Sequence, residues 1–388
     1  MTIETRSGST TAAGAGTESG LVQADLGGVT SVAEAVDLHV TFQRSGRAIH
    51  ALRGVSLAIQ PGEILGLVGE SGSGKSVLGL SLLGLLDDRA EVHGDAVVRG
   101  QDMVHSPQPR RREVRRKFLG AVFQDPMTSL NPTMRVGHQV AEAAGSAAEA
   151  ERLMAAVGIP DPHARLRSFP HELSGGLRQR VMIAMAVAGG PSLVIADEPT
   201  TALDVTVQGQ VLRLLRSLRE EVGCSVLMIT HDLGVAAQVA DRVAVLYAGR
   251  IAEIGTSADV LADPSHPYTV GLMRSRLSLE SDRTRPLIAL AGEVPSPAAP
   301  RSGCAFSPRC ALAHDECEAV PPPPVEFTPG RQSACLLAKS EVTERTSALE
   351  RTLADPFTVS PEPGPPAVSL TGVVKSFPVG SGLRRRSL

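Results

Sequence analysis

The 388-residue chain is 42% hydrophobic, enough to build packed cores, so disorder throughout is excluded. A formal net charge of −3 gives no overall basic field for nucleic acid or anionic lipid, and 3% aromatics with no tryptophan leave few stacking platforms for bases. Lysine stands only at positions 75, 117, 339 and 375, so a lysine in a special setting carries weight.

Residues 1–34 read as a disordered Gly/Thr-rich leader without an apolar signal core. Short strand-like runs follow at 36–42, 55–59 and 64–68, and the last enters a glycine loop ahead of an apolar helical stretch, 77–86. A further run, 119–123, ends at Gln124. Residues 137–170 are Ala-rich and helical, and the helical pattern resumes after Leu173-Ser174-Gly175-Gly176. The segment 192–196 is a buried strand ending at Asp197-Glu198, followed by a helical stripe over 207–222. A continuous apolar run, 224–230, ends at His231, and 243–247 with 251–254 forms a hairpin. Strands alternating with helices predict an α/β fold around a largely parallel sheet. No apolar run reaches the ~18–20 residues of a membrane crossing, and five cysteines without an export signal point to a reducing compartment.

Gly69-Glu70-Ser71-Gly72-Ser73-Gly74-Lys75-Ser76, between a strand and a helix, has the pattern of a phosphate cradle. Its glycines let successive backbone N–H groups converge on an anion at a helix N-terminus. Lys75 would meet the β- and γ-phosphates, and Ser76 would ligate Mg²⁺. Asp197, closing a buried strand, suits Mg²⁺ coordination, and Glu198 beside it suits polarising a water. Gln124 and His231 each follow an apolar strand, where parallel sheets place their ligands. Gln124 has the reach for Mg²⁺ or water, and His231 for a γ-phosphate oxygen.

In order and approximate spacing, these segments together with Thr201-Ala202-Leu203-Asp204 resemble the ABC ATPase domain over residues 34–260. The resemblance implies a P-loop NTPase with a RecA-like core, an antiparallel β subdomain and an inserted α-helical subdomain, about 125–185. It implies that ATP is bound by residues 69–77, closing with Val77, and by Phe42, stacked on adenine. Glu198 would be the general base, Asp197 the Walker B carboxylate, Gln124 the Q-loop residue and His231 the switch histidine. Leu173, Ser174, Gly175, Gly176 and the D-loop Asp204 would address the ATP of a partner domain, head to tail. One departure is Leu177, where many members carry glutamine.

Phe123-Gln124-Asp125-Pro126 through Pro132, His266-Pro267-Tyr268-Thr269, residues 292–297 and the Cys304–Cys310 segment resemble the oligopeptide/dipeptide importer ATPases, whose relatives include nickel and glutathione importers. This implies transport-coupled ATP hydrolysis at the cytoplasmic face of the membrane. The partners would be a second ATPase domain, two permease subunits and, indirectly, an extracytoplasmic solute-binding protein, with no nucleic acid. Cys304, Cys310, Cys317 and Cys335 form a Cys₄ set that fits [4Fe–4S] or zinc, or stays as thiols; Cys224 reads as a buried core residue. A soluble ABC ATPase acting on nucleic acid or ribosomes, and a truncated regulatory fragment, are the alternatives. The expected domains are 35–262 for the ATPase, 263–338 for the cysteine-bearing extension, 339–366 for a linker, and 367–388 for the start of a second ATPase domain. The basic runs at 110–112, 115–117 and 384–386 read as solvated surface.

Overall fold

The computed structural model describes residues 31–201, 203–275, 290, 292–299 and 302–353, with scattered positions after 368. Two long strands, β1 (Ala33–Arg44) and β2 (Arg47–Ile59), form a hairpin. β3 (Ile64–Val68) leads through the glycine loop into α1 (Lys75–Leu83). β4 (Ala90–Val98) and β5 (Gln101–Asp102) return to β1, completing a four-stranded antiparallel sheet in the order β2-β1-β4-β5. α2 (Gln108–Phe118) delivers β6 (Leu119–Val122). The helical insertion comprises α3 (Pro126–Ser129), α4 (Val136–Ala144), α5 (Ala147–Ala156), α6 (Pro162–Arg165) and α7 (Gly175–Val187). Then come β7 (Leu193–Asp197), α8 (Val205–Val222), β8 (Ser225–Thr230), α9 (Leu233–Val239) and the hairpin of β9 (Arg242–Tyr247) with β10 (Arg250–Thr256). The remaining elements up to residue 353 are α10 (Ser257–Ala262), α11 (Pro267–Arg274), α12 (Glu316–Ala319), β11 (Val325–Thr328), β12 (Arg331–Ser333) and α13 (Lys339–Leu353), and beyond them β13 (Pro378–Val379) pairs with β14 (Arg386–Ser387).

The second sheet has the order β11-β12-β10-β9-β3-β8-β7-β6, and its run from β9 to β6 is parallel. Alternate residues of its central strands enter different cores, as the period of two demands. Val194, Ala196, Val226 and Met228 face a core shared with α7, α8 and α9. Leu193, Ile195, Leu227 and Ile229 face a second core shared with α1 and the antiparallel sheet. With both faces covered, these strands are near-continuous apolar runs, and their carboxyl ends are left open for chemistry.

Four expectations are corrected. The leader ends earlier than residue 34: Val32 is buried, its N–H donates to the Ile59 carbonyl, and Ala33 starts β1. The boundary at 262/263 cuts through one sheet, because β12 pairs with β10 (Glu253 opposite Ser333) and carries β11 with it. Residues 339–353 of the expected linker are helical, with Val342 fully buried. The basic run at 115–117 is not wholly solvated, because Arg115 donates to the Leu83 and Gly84 carbonyls at the end of α1. Most of 1–34 and of 367–388, including Arg384 and Arg385 of the 384–386 run, lies outside the described residues, while Arg386 begins a two-residue strand. No helix among the described residues is long and apolar enough to cross a membrane.

Candidate nucleotide site

The phosphate loop departs from β3 and closes at Gly74, whose φ of 106° belongs to the left-handed region; a Cβ there would also lie 2.5 Å from the Ala51 carbonyl oxygen. No side chain caps α1, so its first N–H groups face the loop. Lys75 is buried, and its Nζ donates to the carbonyls of Gly69 (2.7 Å) and Glu70 (2.9 Å). Burial pushes the Lys75 ammonium below the ordinary lysine value, against the upward pull of Glu198, Asp197 and Glu70. Ser73 is buried with an unpartnered Oγ, Ser71 and Gly72 are exposed, and Val77 rests against the second core.

Gln124 and His231 follow the carboxyl ends of β6 and β8, and Asp197 closes β7, beside the loop that follows β3. Burial lifts the Asp197 carboxyl above the usual aspartate range, opposed by a hydrogen bond with Ser76 and reinforced by the neighbouring Glu198 charge. Its Oδ1 is buried without a hydrogen-bond partner. A buried, unpaired carboxylate oxygen beside a serine hydroxyl and a phosphate loop is the donor set that Mg²⁺ accepts.

Glu198 stands at a φ of 46°, rare for a residue with a side chain. Its Oε2 accepts from Gln124 Nε2 (3.1 Å) and Thr201 Oγ1 (2.8 Å), and its Oε1 lies 3.2 Å from His231 Nδ1. Burial raises the Glu198 carboxyl, but the hydrogen bonds of Thr201 and His231 and the charges of His231 and Lys75 outweigh it, so the group lies below the ordinary glutamate value. From the sequence Gln124 was expected at Mg²⁺ or water and His231 at the γ-phosphate; in the structure both contact Glu198. Thr201 was quoted only as part of a motif, and its spacing of three from Glu198, one turn, is the signal that could have marked it.

The other expected residues sit apart. Ser174 caps α7 and accepts from Leu177 N–H, with Gly175 and Gly176 in the first helical turn and Leu173 buried before them. Asp204 caps α8 and accepts from Val207 N–H at 2.9 Å. Among the described residues, no hydrogen bond joins either cap to the phosphate loop. Phe42 lies in β1 opposite Ile49 and Ala90, half-buried against the second core. Cys304, Cys310, Cys317 and Cys335 line one small cavity with His266 and Phe306. Burial first, and then the neighbouring thiols, push Cys310 up to about 12 and Cys335 up to about 11. Cys224 is buried in the core, as expected.

The sequence comparisons agree with this geometry. Residues 52–201 match the ABC transporter family, and 252–317 match the oligopeptide/dipeptide transporter C-terminal region. The chain is 46% identical over 296 residues to the oligopeptide transport ATP-binding protein OppD of Bacillus subtilis, covering 74% of this chain and 83% of that one. It is 43% identical over 317 residues to OppD of Escherichia coli (79% and 93%). It is also 43% identical over 351 residues to OppD of Mycobacterium tuberculosis, covering 88% of this chain and 56% of that protein's length. Among solved structures, it is similar to the dimeric post-hydrolysis ATP-binding cassette MJ0796 bound to ADP and Pi, with a TM-score of 0.53, 27% identity and coverage of 58% and 98%. It also resembles CbiO1 of Clostridium perfringens, part of the CbiONQ ABC transporter complex, with a TM-score of 0.52, 26% identity and coverage of 60% and 91%. The chain belongs to the ABC transporter ATP-binding proteins of the oligopeptide-transport type.

Proposed function

We propose that this chain binds and hydrolyses ATP to drive import of oligopeptides, or of a related small solute, through a membrane permease. The observation that carries the reading is the acidic pair Asp197–Glu198 at the end of β7, held next to the buried Lys75 with one Asp197 oxygen unpaired. Lys75 and the N–H groups at the start of α1 hold the β- and γ-phosphates. Ser76 and Asp197 would hold Mg²⁺, with Gln124 in reach once it leaves Glu198. When bound, the ion neutralises charge on the phosphoryl oxygens. Glu198 accepts a proton from water as the water oxygen bonds to the γ-phosphorus and the bond to the β–γ bridging oxygen breaks, leaving ADP and phosphate. In the present arrangement Glu198 is engaged by Gln124, Thr201 and His231, so hydrolysis requires that grip to open towards water.

Ser174 and the N-terminus of α7 form a second anion-binding end, remote in hydrogen bonding from the chain's own loop. This supports head-to-tail pairing with a second ATPase domain, and the dimeric MJ0796 cassette supports it too. Asp204 would join that interface, and Phe42 would carry the adenine. Two permease subunits, fed by an extracytoplasmic binding protein, would hold the pair at the cytoplasmic face of the membrane. For the cysteines, the spacing favours a [4Fe–4S] cluster. Among the described residues, only Asp95, Asp102 and His105 bring three metal-ligating atoms within 4.8 Å of one another, and no three thiols do. A tetrahedral zinc with Zn–S near 2.3 Å needs sulphurs about 3.8 Å apart, whereas a cubane spreads its thiolates wider.

The test is peptide uptake and phosphate release in liposomes holding the chain with its permease partners. Glu198→Gln is expected to keep MgATP binding and to lose about 10²–10⁴-fold in phosphate release, the usual share of a general base. Unchanged release would overturn the assignment.

A further inference from the structure

The phosphate loop is gripped by a part of the chain that no ATP-site motif includes. Arg309, in the turn Ser307–Arg309 just before Cys310, reaches Glu70 across 239 positions. Its two terminal nitrogens donate to the two Glu70 carboxylate oxygens at 2.6 and 3.0 Å, and one also donates to Tyr247 Oη at 3.3 Å. The Arg309 side chain is only 4% exposed, and its guanidinium stacks 5.8 Å from the centre of the Tyr247 ring. A buried guanidinium is costly unless its donors are paired, and the forked contact with a carboxylate fixes orientation as well as charge.

Glu70 is held from its main chain as well. Its N–H donates to Tyr268 Oη at 3.0 Å, from a fully buried tyrosine on α11, and its carbonyl accepts Lys75 Nζ. Tyr247, Tyr268 and Phe306 pack ring to ring, with centroids 4.5–5.4 Å apart, so the supports of Glu70 form one rigid block. The extension also lays Pro295–Pro297 beside Gly72, and His50 N–H donates to the Pro297 carbonyl at 2.9 Å. Three separate stretches of the region after β10 therefore converge on one six-residue loop.

We infer that Arg309 is a positioning residue for nucleotide binding: through Glu70 it holds the phosphate loop, and with it Lys75, in the anion-receiving shape. This rests on the reading of the loop as an ATP site. The extension is then part of the nucleotide site rather than an appendage to it. A purely structural tether predicts something different, a loss of thermal stability with nucleotide affinity intact in whatever protein remains folded.

The experiment is calorimetric titration of the full chain with MgATP at low temperature, alongside thermal melts, for the parent, Arg309→Ala, Arg309→Lys, Glu70→Gln and the double variant Arg309→Ala/Glu70→Gln. Arg309→Ala is expected to raise the MgATP Kd about tenfold, the scale of one lost charged hydrogen bond, and to raise KM with kcat little changed. Arg309→Lys, keeping charge without the fork, should recover part of the affinity, and the double variant should bind no more weakly than the worse single one. If Arg309→Ala does not fold, Arg309→Lys and Glu70→Gln decide: folded and weaker binders support the inference. Parent-like affinity in folded variants, or additive losses in the double variant, would overturn it. A parent that binds no MgATP would sink the ATP-site reading instead, so the two failures are distinguishable.

Discussion

Glu198 is held at a backbone angle that costs on the order of 1–3 kcal/mol, by contacts that come from three different strand ends. The angle turns its carboxylate back towards Gln124, Thr201 and His231, and the hydrogen bond from Thr201, at 2.8 Å, is the shortest of the three. Hydrogen bonds to the charged form hold a carboxyl down, so the depressed Glu198 remains an ionised base below the ordinary glutamate value of 4.5. Thr201→Val removes one such bond, and its Glu198 must titrate higher. The acid limb of log kcat against pH is therefore expected to move up in Thr201→Val relative to the parent; superimposed limbs would refute the role given to Thr201. Gln124 and His231 were legible as site residues because each directly follows an apolar strand. Their orientation onto Glu198 was not, since a side chain's direction past a strand end depends on partners the sequence does not show. Arg309 gave no local signal at all, because its partner lies 239 positions away.

Among the elements, the central strands could be read directly because they are buried on both faces: β3 has the expected bounds, and those of β7, β8, β9 and β10 differ from the expected runs by a residue or two. β11 and β12 escaped notice because they are three or four residues long and stand among prolines, too short for any alternation to register. α13 was hidden by its polar composition, although Val342 and Thr346 mark its buried side. What fastens the extension to the sheet is Glu253 on β10, fully buried, whose carboxylate accepts the N–H groups of Ser265 (2.8 Å) and His266 (3.0 Å) and lies 3.7 Å from Arg331 of β12. Burial raises the Glu253 carboxyl above its ordinary 4.5, and the two N–H donors and Arg331 only partly offset this. An acid with a raised folded value binds more protons folded than unfolded, so its stabilising contribution is complete below 4.5 and fades as pH rises through the folded value. The melting-temperature advantage of the parent over Glu253→Gln should therefore be larger at pH 4.5 than at pH 7.5. An advantage that is constant, or that grows with pH, would contradict the burial argument.

For the molecule as a whole, the cysteine cavity and the phosphate loop lie on either side of one aromatic block, since Phe306 lines the cavity and also packs on Tyr247 and Tyr268. The composition shift after residue 262 marked where the extension begins but not what it touches, because the fold joins what sequence distance separates: β12 sits on β10, Arg309 on Glu70 and His50 on Pro297. The four thiols come from separate segments, with Cys317 on α12 and the others in loops, so any group they bind together joins those segments and stabilises by binding the folded chain and not the unfolded one. Protein purified without oxygen is expected to carry about four iron and four acid-labile sulfide per chain, as a Cys₄ cubane requires. Cys310→Ser should lose most of that iron and melt at a lower temperature, whereas Cys224→Ser, altering a core thiol away from the cavity, should keep the iron. Zinc in place of iron at one per chain, or full iron retention in Cys310→Ser, would show that the cavity serves another chemistry. In that case the nucleotide grip of Arg309 would stand on its own, because its bonds to Glu70 are made by the guanidinium and need nothing in the cavity.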